Sequence, residues 1–138
     1  MLKRKRVRSA IAVVAGLGFA LGGAVAAHAG TSYAGFNVVI PQFQAPYLGV
    51  GSQTKSGSNV AGDIAITSVG SSYTVDATLC VAYGVNCSVG TKVLGLNDGT
   101  SAKLPNRIGS GVAGTQPVLQ SGSWNVVTVQ VIGRWRSN

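Results

Sequence analysis

The sequence contains few of the residues from which enzymes build active sites. It has one histidine, His28, and one methionine, and its three acidic residues are all aspartates. His28 lies in a segment that we predict to be removed, which excludes a Ser-His-Asp arrangement from the remaining chain. Without His and Glu, only Asp, Tyr and Lys remain as side chains for general acid–base chemistry at neutral pH. We therefore expect no catalytic residues and a protein that is not an enzyme.

A pair of carboxylates is the remaining catalytic alternative, and it requires two of Asp63, Asp76 and Asp98 to meet. We predict Asp63 and Asp76 on the sides of two strands that face away from the core, where they would be ordinary solvated charges. Asp98 falls in a predicted tight turn, where aspartate has a backbone role. Each aspartate thus has a structural explanation, and we expect no catalytic pair.

Cysteine is also scarce, because the chain has only Cys80 and Cys87. In an oxidising compartment these should form a structural disulfide, and closing so short a loop is worth roughly 2–3 kcal/mol in the chain-entropy model. The alternatives are a redox pair or a metal site, but two thiolates without histidine do not complete a metal shell. The glycines at positions 109, 111 and 114 fit Gly-x-Gly-x-x-Gly without the strand and helix that such a loop needs. We expect neither metal nor cofactor.

The first 29 residues read as a signal peptide. A cluster of positive charges is followed by an uncharged apolar run from Ala10 to Ala27, and Ala27-His28-Ala29 gives the small residues that signal peptidase reads. Gly30 is then the predicted mature N-terminus. A retained membrane anchor is the alternative, but the run is rich in Ala and Gly and only weakly apolar. Without Arg-Arg before the run, we expect secretion by the general secretory route and no stable membrane association after cleavage.

The net charge of the chain shrinks once the signal peptide is set aside. The formal charge is +8, but five of the eleven cations lie before residue 10. Six cations against three aspartates leave +3 for residues 30–138. The six are Lys55, Lys92, Lys103, Arg107, Arg134 and Arg136. They are too scattered for nucleic-acid binding, which needs a clustered basic stripe, and favour at most mild attraction to acidic cell-wall polymers.

Residues 30–138 form one predicted domain of short β-strands. Alternating patterns at 59–68 and 73–81 predict two strands in a hairpin. Asn97-Asp98-Gly99 predicts a tight turn, from which 100–104 would return as a strand. Residues 124–135 predict a last strand with Val127 facing the core. Six to eight short strands imply a small antiparallel β-sandwich or barrel, with a core at 60–138 and an extended arm with a first strand and a long loop at 30–59.

The aromatic residues offer the best binding candidates. Four of them lie in the predicted arm: Tyr33, Phe36, Phe43 and Tyr47. They either pack against the domain or form a recognition segment that adds to the sheet edge of a partner. Trp124, at the predicted entry to the last strand, follows a Ser-Gly-Ser sequence and is the fifth candidate for an exposed partner-binding side chain. Trp135 continues the valine face and is predicted to lie in the core.

Three segments together resemble small exported β proteins of Streptomyces-type actinobacteria. They are the run from Tyr33 to Pro41, the Asn97-Asp98-Gly99 turn and the valine-rich ending at Arg134-Trp135-Arg136. The resemblance covers most of residues 30–138, and its motifs are structural rather than catalytic, so it carries no activity. Some small secreted proteins of these bacteria are adaptor subunits of extracellular toxin particles, and the resemblance raises that role above others.

Export, the missing catalytic residues and the aromatic segment together predict a secreted binding or adaptor protein, as a subunit of an extracellular toxin-type complex. The alternative is a secreted antibacterial or enzyme-inhibitor protein that acts alone. The expected partner is a secreted protein, with a cell-wall polymer as the second class of ligand and no nucleic acid.

Overall fold

A computed structural model describes residues 30–138, so the predicted signal peptide lies outside the described residues. Seven strands and one short 3-10 turn, Gly70–Ser72, form the regular structure of this part of the chain. The strands are β1 (Ala34–Ile40), β2 (Gly62–Val69), β3 (Val75–Cys80), β4 (Val93–Leu96), β5 (Ser101–Leu104), β6 (Gln116–Ser121) and β7 (Val129–Arg136). Their richness in Val, Ile and Thr, with glycine between them, accounts for the strand content.

The strands form two antiparallel sheets. One sheet has the order β1-β7-β2-β5 and the other the order β4-β3-β6. Cys80, the last residue of β3, is bridged to Cys87. The prediction of a small antiparallel β-sandwich or barrel of six to eight strands with one disulfide is confirmed, and the seven strands form two sheets.

The core lies between the two sheets and follows the alternation of the strands. In β7 the inward residues Val129, Val131 and Trp135 are buried, whereas Gln130 and Arg134 on the other face are exposed. Trp135 is the largest fully buried side chain. Burying large apolar side chains of this kind contributes roughly 1.5–3 kcal/mol each.

The predicted hairpin between the second and third strands is wrong. β2 pairs with β5 and β7, whereas β3 pairs with β4 and β6. Both hydrogen-bonding edges of β2 are therefore taken by strands that lie far away in the sequence. The turn Gly70–Ser72, in which Ser71 and Ser72 have positive φ, leads the chain across to the other sheet.

The tight turn at Asn97-Asp98-Gly99 is confirmed, but it does not close a hairpin. The Thr100 N–H donates to the Asn97 carbonyl at 3.2 Å, and Gly99 has a φ of 71°. A two-residue hairpin turn of type I′ needs positive φ at both central residues, and Asp98 does not have it. The chain therefore passes from β4 in one sheet to β5 in the other.

The last strand starts later than predicted. β7 begins at Val129, and Val127 is 43% exposed rather than buried in the core. Trp124 precedes the strand by five residues, in a connection that starts at Gly122. A Cβ at Gly122 would lie 2.1 Å from the Thr74 hydroxyl oxygen, so the start of this connection is pressed closely against the chain before β3.

Residues 30–59, predicted as an extended arm, lie against the sandwich. β1 pairs with β7 along its whole length, and backbone bridges join Tyr47 to Leu119 and Gln53 to Thr115. The segment therefore shares the core of residues 60–138.

Lys55 fixes this segment to the end of the described chain. Its side chain is 1% exposed, and Nζ donates to the carbonyl oxygens of Val60, Ser137 and Asn138 at 2.5–2.7 Å. Burial lowers the pKa of Lys55. Three carbonyl oxygens satisfy the three N–H groups of the ammonium, which a buried cation requires.

Candidate functional site

The five aromatic candidates divide between the core and the surface. Phe36 is buried in the core cluster, and Tyr47 packs partly buried against that cluster. Tyr33, Phe43 and Trp124 are exposed to 43%, 45% and 70%. Tyr33 comes just before β1 and Phe43 just after it, so the exposed aromatic residues lie near the two ends of this strand.

Phe43 and Trp124 form a pair that we call the aromatic tip. Their ring centroids are 5.3 Å apart with the planes at 41°, within the range of favourable aromatic pairs. The Phe43 N–H donates to the Asn125 carbonyl at 2.8 Å, which fixes one segment to the other. Phe43 has a φ of 59°, a left-handed conformation that is unfavourable for a bulky residue and is often found at functional sites.

β1 is an edge strand without the usual protection. One side pairs with β7 over all seven residues, and the other side makes no backbone hydrogen bond to any residue in 30–138. The strand contains no proline and no charged residue, and its pairing has no bulge. Natural proteins normally block such edges with these features because an open edge pairs with other chains.

The other edge strands are less suited to pairing. β4 and β5 are only four residues long, and β4 has an irregular register with β3. β6 contains Pro117 and is bridged at Leu119 by Tyr47. The β1 edge, residues Ala34–Ile40, is therefore the longest open edge in the described part of the chain.

A charged cluster covers the outer face of the four-stranded sheet, and we call it the outer-face cluster. Asp63 on β2 lies opposite Lys103 on β5 and Arg136 on β7. Its Oδ1 accepts from Lys103 Nζ at 2.5 Å and its Oδ2 from Arg136 at 2.7 Å. Arg134 and Arg136 place their guanidinium carbons 4.8 Å and 4.7 Å from the centre of the Tyr33 ring.

These contacts set the charge state of the cluster. Burial alone would raise the pKa of Asp63, but hydrogen bonds from Lys103, Asn138 and Arg136 outweigh it and lower the pKa to about 2. The hydrogen bond to Asp63 in turn raises the pKa of Arg136. Asp63 is therefore an ionised structural group at neutral pH.

Two of the three aspartates are placed differently from the prediction, whereas Asp98 lies in the predicted turn and contacts the backbone. Asp63 and Asp76 are 7% and 6% exposed, so neither is a solvated charge. Asp76 accepts from the Gly95 N–H at 3.0 Å and Asp98 from the Val69 N–H at 2.5 Å. Asp63 and Asp76 belong to different sheets. Each carboxylate is thus held by its own structural partners.

The cysteine loop, residues 80–87, carries a surface that the sequence analysis missed. Tyr83 and Val85 are 65% and 80% exposed. Ala82 and Tyr83 have φ of 52° and 56°, and Gly84 follows at 87°. The Tyr83 N–H donates to the Gly114 carbonyl at 2.9 Å, and the Tyr83 carbonyl accepts from the Gln116 amide at 3.0 Å. The sequence could have indicated this surface, because Tyr83 and Val85 lie in a disulfide-closed loop that is too short for their side chains to reach the core.

No protein-family model matches the chain, and no curated protein is similar to it by sequence. Within residues 30–138, no helix is long and apolar enough to cross a membrane, and no three potential metal-ligating side chains come together.

Proposed function

We propose that this is a secreted, non-enzymatic binding protein that acts as an adaptor subunit of an extracellular, toxin-type complex. Its docking site is the β1 edge, along which a secreted protein partner adds an extended strand. The single observation that carries this proposal is the open seven-residue edge between Tyr33 and the aromatic tip.

The edge supplies affinity through the backbone. A strand paired along seven residues gains about six inter-strand hydrogen bonds, or roughly one per residue. Each of these bonds contributes a net stabilisation of roughly 0.5–1.5 kcal/mol. Much of that gain offsets the loss of freedom on association. Side-chain anchors are then needed for tight binding, and exposed aromatic residues are the most effective anchors at protein interfaces. Tyr33 and the aromatic tip supply them near both ends of the edge.

Export is supported by two independent features. The sequence begins with a predicted signal peptide, and Cys80 and Cys87 are joined in a disulfide, which is typical of oxidising compartments outside the cytosol. The resemblance to small exported β proteins of Streptomyces-type actinobacteria also favours an adaptor role.

The test compares two lysine substitutions in an affinity pulldown. The chain from Gly30 onward is used as bait in culture supernatant of the producing organism, and co-purified proteins are identified by mass spectrometry. Val39→Lys places a charge on β1 at a 54% exposed position. Leu94→Lys is the matched control, because Leu94 is 69% exposed on β4, at the edge of the other sheet. Circular dichroism checks that both variants are folded.

We expect the wild-type and Leu94→Lys baits to recover a secreted protein in stoichiometric amount. The Val39→Lys bait should not recover it. Hydrogen exchange of the complex should then show new protection of β1 amides. Recovery of the same partner by all three baits, or unchanged exchange in β1, would exclude the β1 edge as the docking site.

The cysteine loop favours a second candidate function, a secreted inhibitor or antibacterial protein that acts alone. Its backbone is braced by the disulfide and by contacts to Gly114 and Gln116, while Tyr83 and Val85 point into solvent. A rigid loop with exposed apolar side chains loses little entropy when it enters a cleft of a target.

This alternative is tested on the purified protein without partners. Inhibition of secreted proteases or glycosidases, or killing of sensitive cells, would support it if Tyr83→Ala weakens the effect and Tyr33→Ala does not. Inactivity at micromolar concentration would leave the adaptor function as the better account.

A further inference from the structure

The outer face of the four-stranded sheet contains a small cleft that the β1 edge does not explain. It has a volume of about 190 Å³ and is lined by Tyr33, Asp63, Ile64, Ser101, Ala102 and Lys103. This is below the roughly 300–1,000 Å³ of sites that enclose small molecules. A cleft of this size accommodates one charged group of a larger ligand rather than a whole metabolite.

The strand register places Arg134 and Arg136 near the cleft. Across the sheet, Arg134 on β7 lies opposite Ala65 on β2, and Ala65 lies opposite Ser101 on β5. Only the small side chain of Ala65 stands between Arg134 and Ser101 in this row, and Ser101 lines the cleft. The next row across the same strands holds Arg136, Asp63 and Lys103, of which Asp63 and Lys103 line the cleft.

The electrostatics around the cleft are those of an anion site. Lys103 and Arg136 contact the Asp63 carboxylate, and Arg134 packs over the Tyr33 ring beside the cleft, so three cations and one anion give a charge of three minus one, or +2, in and beside the cleft. Both Asp63 oxygens are already occupied by Lys103, Arg136 and Asn138. No salt bridge joins Asp63 to Arg134 in the described residues, so this carboxylate is paired with Lys103 and Arg136 instead.

Arg134 is the cation left without a counter-charge. It is exposed and makes no salt bridge or hydrogen bond to any residue in 30–138. Its guanidinium packs over the Tyr33 ring, which Arg136 also contacts, so two like charges are held close together. An anion at Arg134 would relieve that repulsion and use the donor fork of the guanidinium.

We propose that this cleft binds a phosphate group of an anionic polymer. Lys103 and the Ser101 hydroxyl line the cleft, and Arg134 lies beside it, over the ring of Tyr33, which is also a lining residue. Donors from these three side chains suit the several oxygens of a tetrahedral phosphate better than the two of a carboxylate. The open cleft holds the phosphate while the rest of the polymer continues over the sheet face. The site lies on the outer face of the sheet and does not depend on strand docking at the β1 edge.

The test is an NMR titration of the chain from Gly30 onward with four probes: inorganic phosphate, acetate, poly(glycerol phosphate) and a polyglutamate peptide. We expect phosphate and the polymer to cause saturable shifts in the amide signals of Tyr33, Ser101, Lys103 and Arg134, with the polymer binding at least as tightly per phosphate. Arg134→Gln should weaken binding by roughly fivefold or more, because one charge-assisted, forked contact is lost. The matched control, Arg107→Gln, removes an exposed arginine outside the cleft and should bind like wild type.

Several results would overturn the proposal. Shifts that do not saturate, or that weaken equally in Arg134→Gln and Arg107→Gln, would show only general attraction to positive charge. Acetate and a polyglutamate peptide binding more tightly than phosphate and poly(glycerol phosphate) would assign the cleft to a protein carboxylate instead. Either result leaves the test of the β1 edge unaffected, because Val39 does not line the cleft.

Discussion

Replacing Asp63 with asparagine should destabilise the fold mainly through lost electrostatics. The pKa of Asp63 falls from 3.8 to about 2 on folding, because the hydrogen bonds from Lys103, Asn138 and Arg136 outweigh its burial. A difference of nearly two pKa units corresponds to about 2 kcal/mol at 1.36 kcal/mol per unit. Asp63 is only 7% exposed, but solvent screens its pair with the 69% exposed Lys103, so about 2 kcal/mol is the upper end of the expected loss.

The sign of the pH dependence follows from the lowered pKa. Because the folded state binds the proton more weakly than the unfolded state, the stabilisation is complete above pH 4 and is lost as the pH falls through about 2. Asp63→Asn lacks this titration. The difference in unfolding free energy between wild type and variant should therefore be at most about 2 kcal/mol at pH 7 and much smaller near pH 2.

The unfolding free energies of wild type and Asp63→Asn can be measured at each pH by urea unfolding, followed by the fluorescence of the buried Trp135. Lys103→Gln is the control, because Lys103 is 69% exposed and an exposed ion pair contributes less than about 1 kcal/mol. An Asp63→Asn variant that loses the same free energy at pH 7 and pH 2 would show that the loss is steric, and the electrostatic account of the cluster would be wrong.

Two further predictions concern the disulfide and the packing of β7. Replacing Cys80 and Cys87 together with serine should lower the unfolding free energy by roughly 2–3 kcal/mol, measured by urea unfolding and compared with wild type under reducing conditions. Gly133→Ala should cost roughly 1–3 kcal/mol, because the added Cβ would lie 2.5 Å from the Ala65 carbonyl oxygen. Gly35→Ala, whose Cβ would meet nothing closer than 3.9 Å, should leave the melting temperature nearly unchanged; equal losses would contradict the packing argument.

Local signals in the sequence predicted local structure well. The disulfide, the turn at Asn97-Asp98-Gly99 and the inward face of β7 all depend on residues close together in the chain. Strand pairing does not, and the predicted hairpin failed because the partners of β2 come from β5 and β7. Alternation shows which face of a strand is apolar, but it does not show which strand lies beside it.

The burial of Asp63 shows the same limit at the level of a side chain. The alternation correctly placed it on the outer face of β2, opposite Lys103 and Arg136. Its burial comes from side chains on two other strands, which cover the carboxylate and hold its pKa low. The alternating pattern therefore predicted on which face of the sheet Asp63 lies. It could not predict the burial of Asp63, because that depends on which strands pair with β2.

The same non-local pairing creates both proposed binding surfaces, because β7 lies between β1 and β2. Its pairing with β1 leaves the outer side of β1 open, and its pairing with β2 brings Arg134 and Arg136 beside Asp63. A strand added to β1 would lie in the plane of the sheet, whereas a phosphate in the cleft would lie above it. The two ligands would therefore approach from different directions around Tyr33, which borders both sites, and one small domain could hold a protein partner and an anionic polymer side by side.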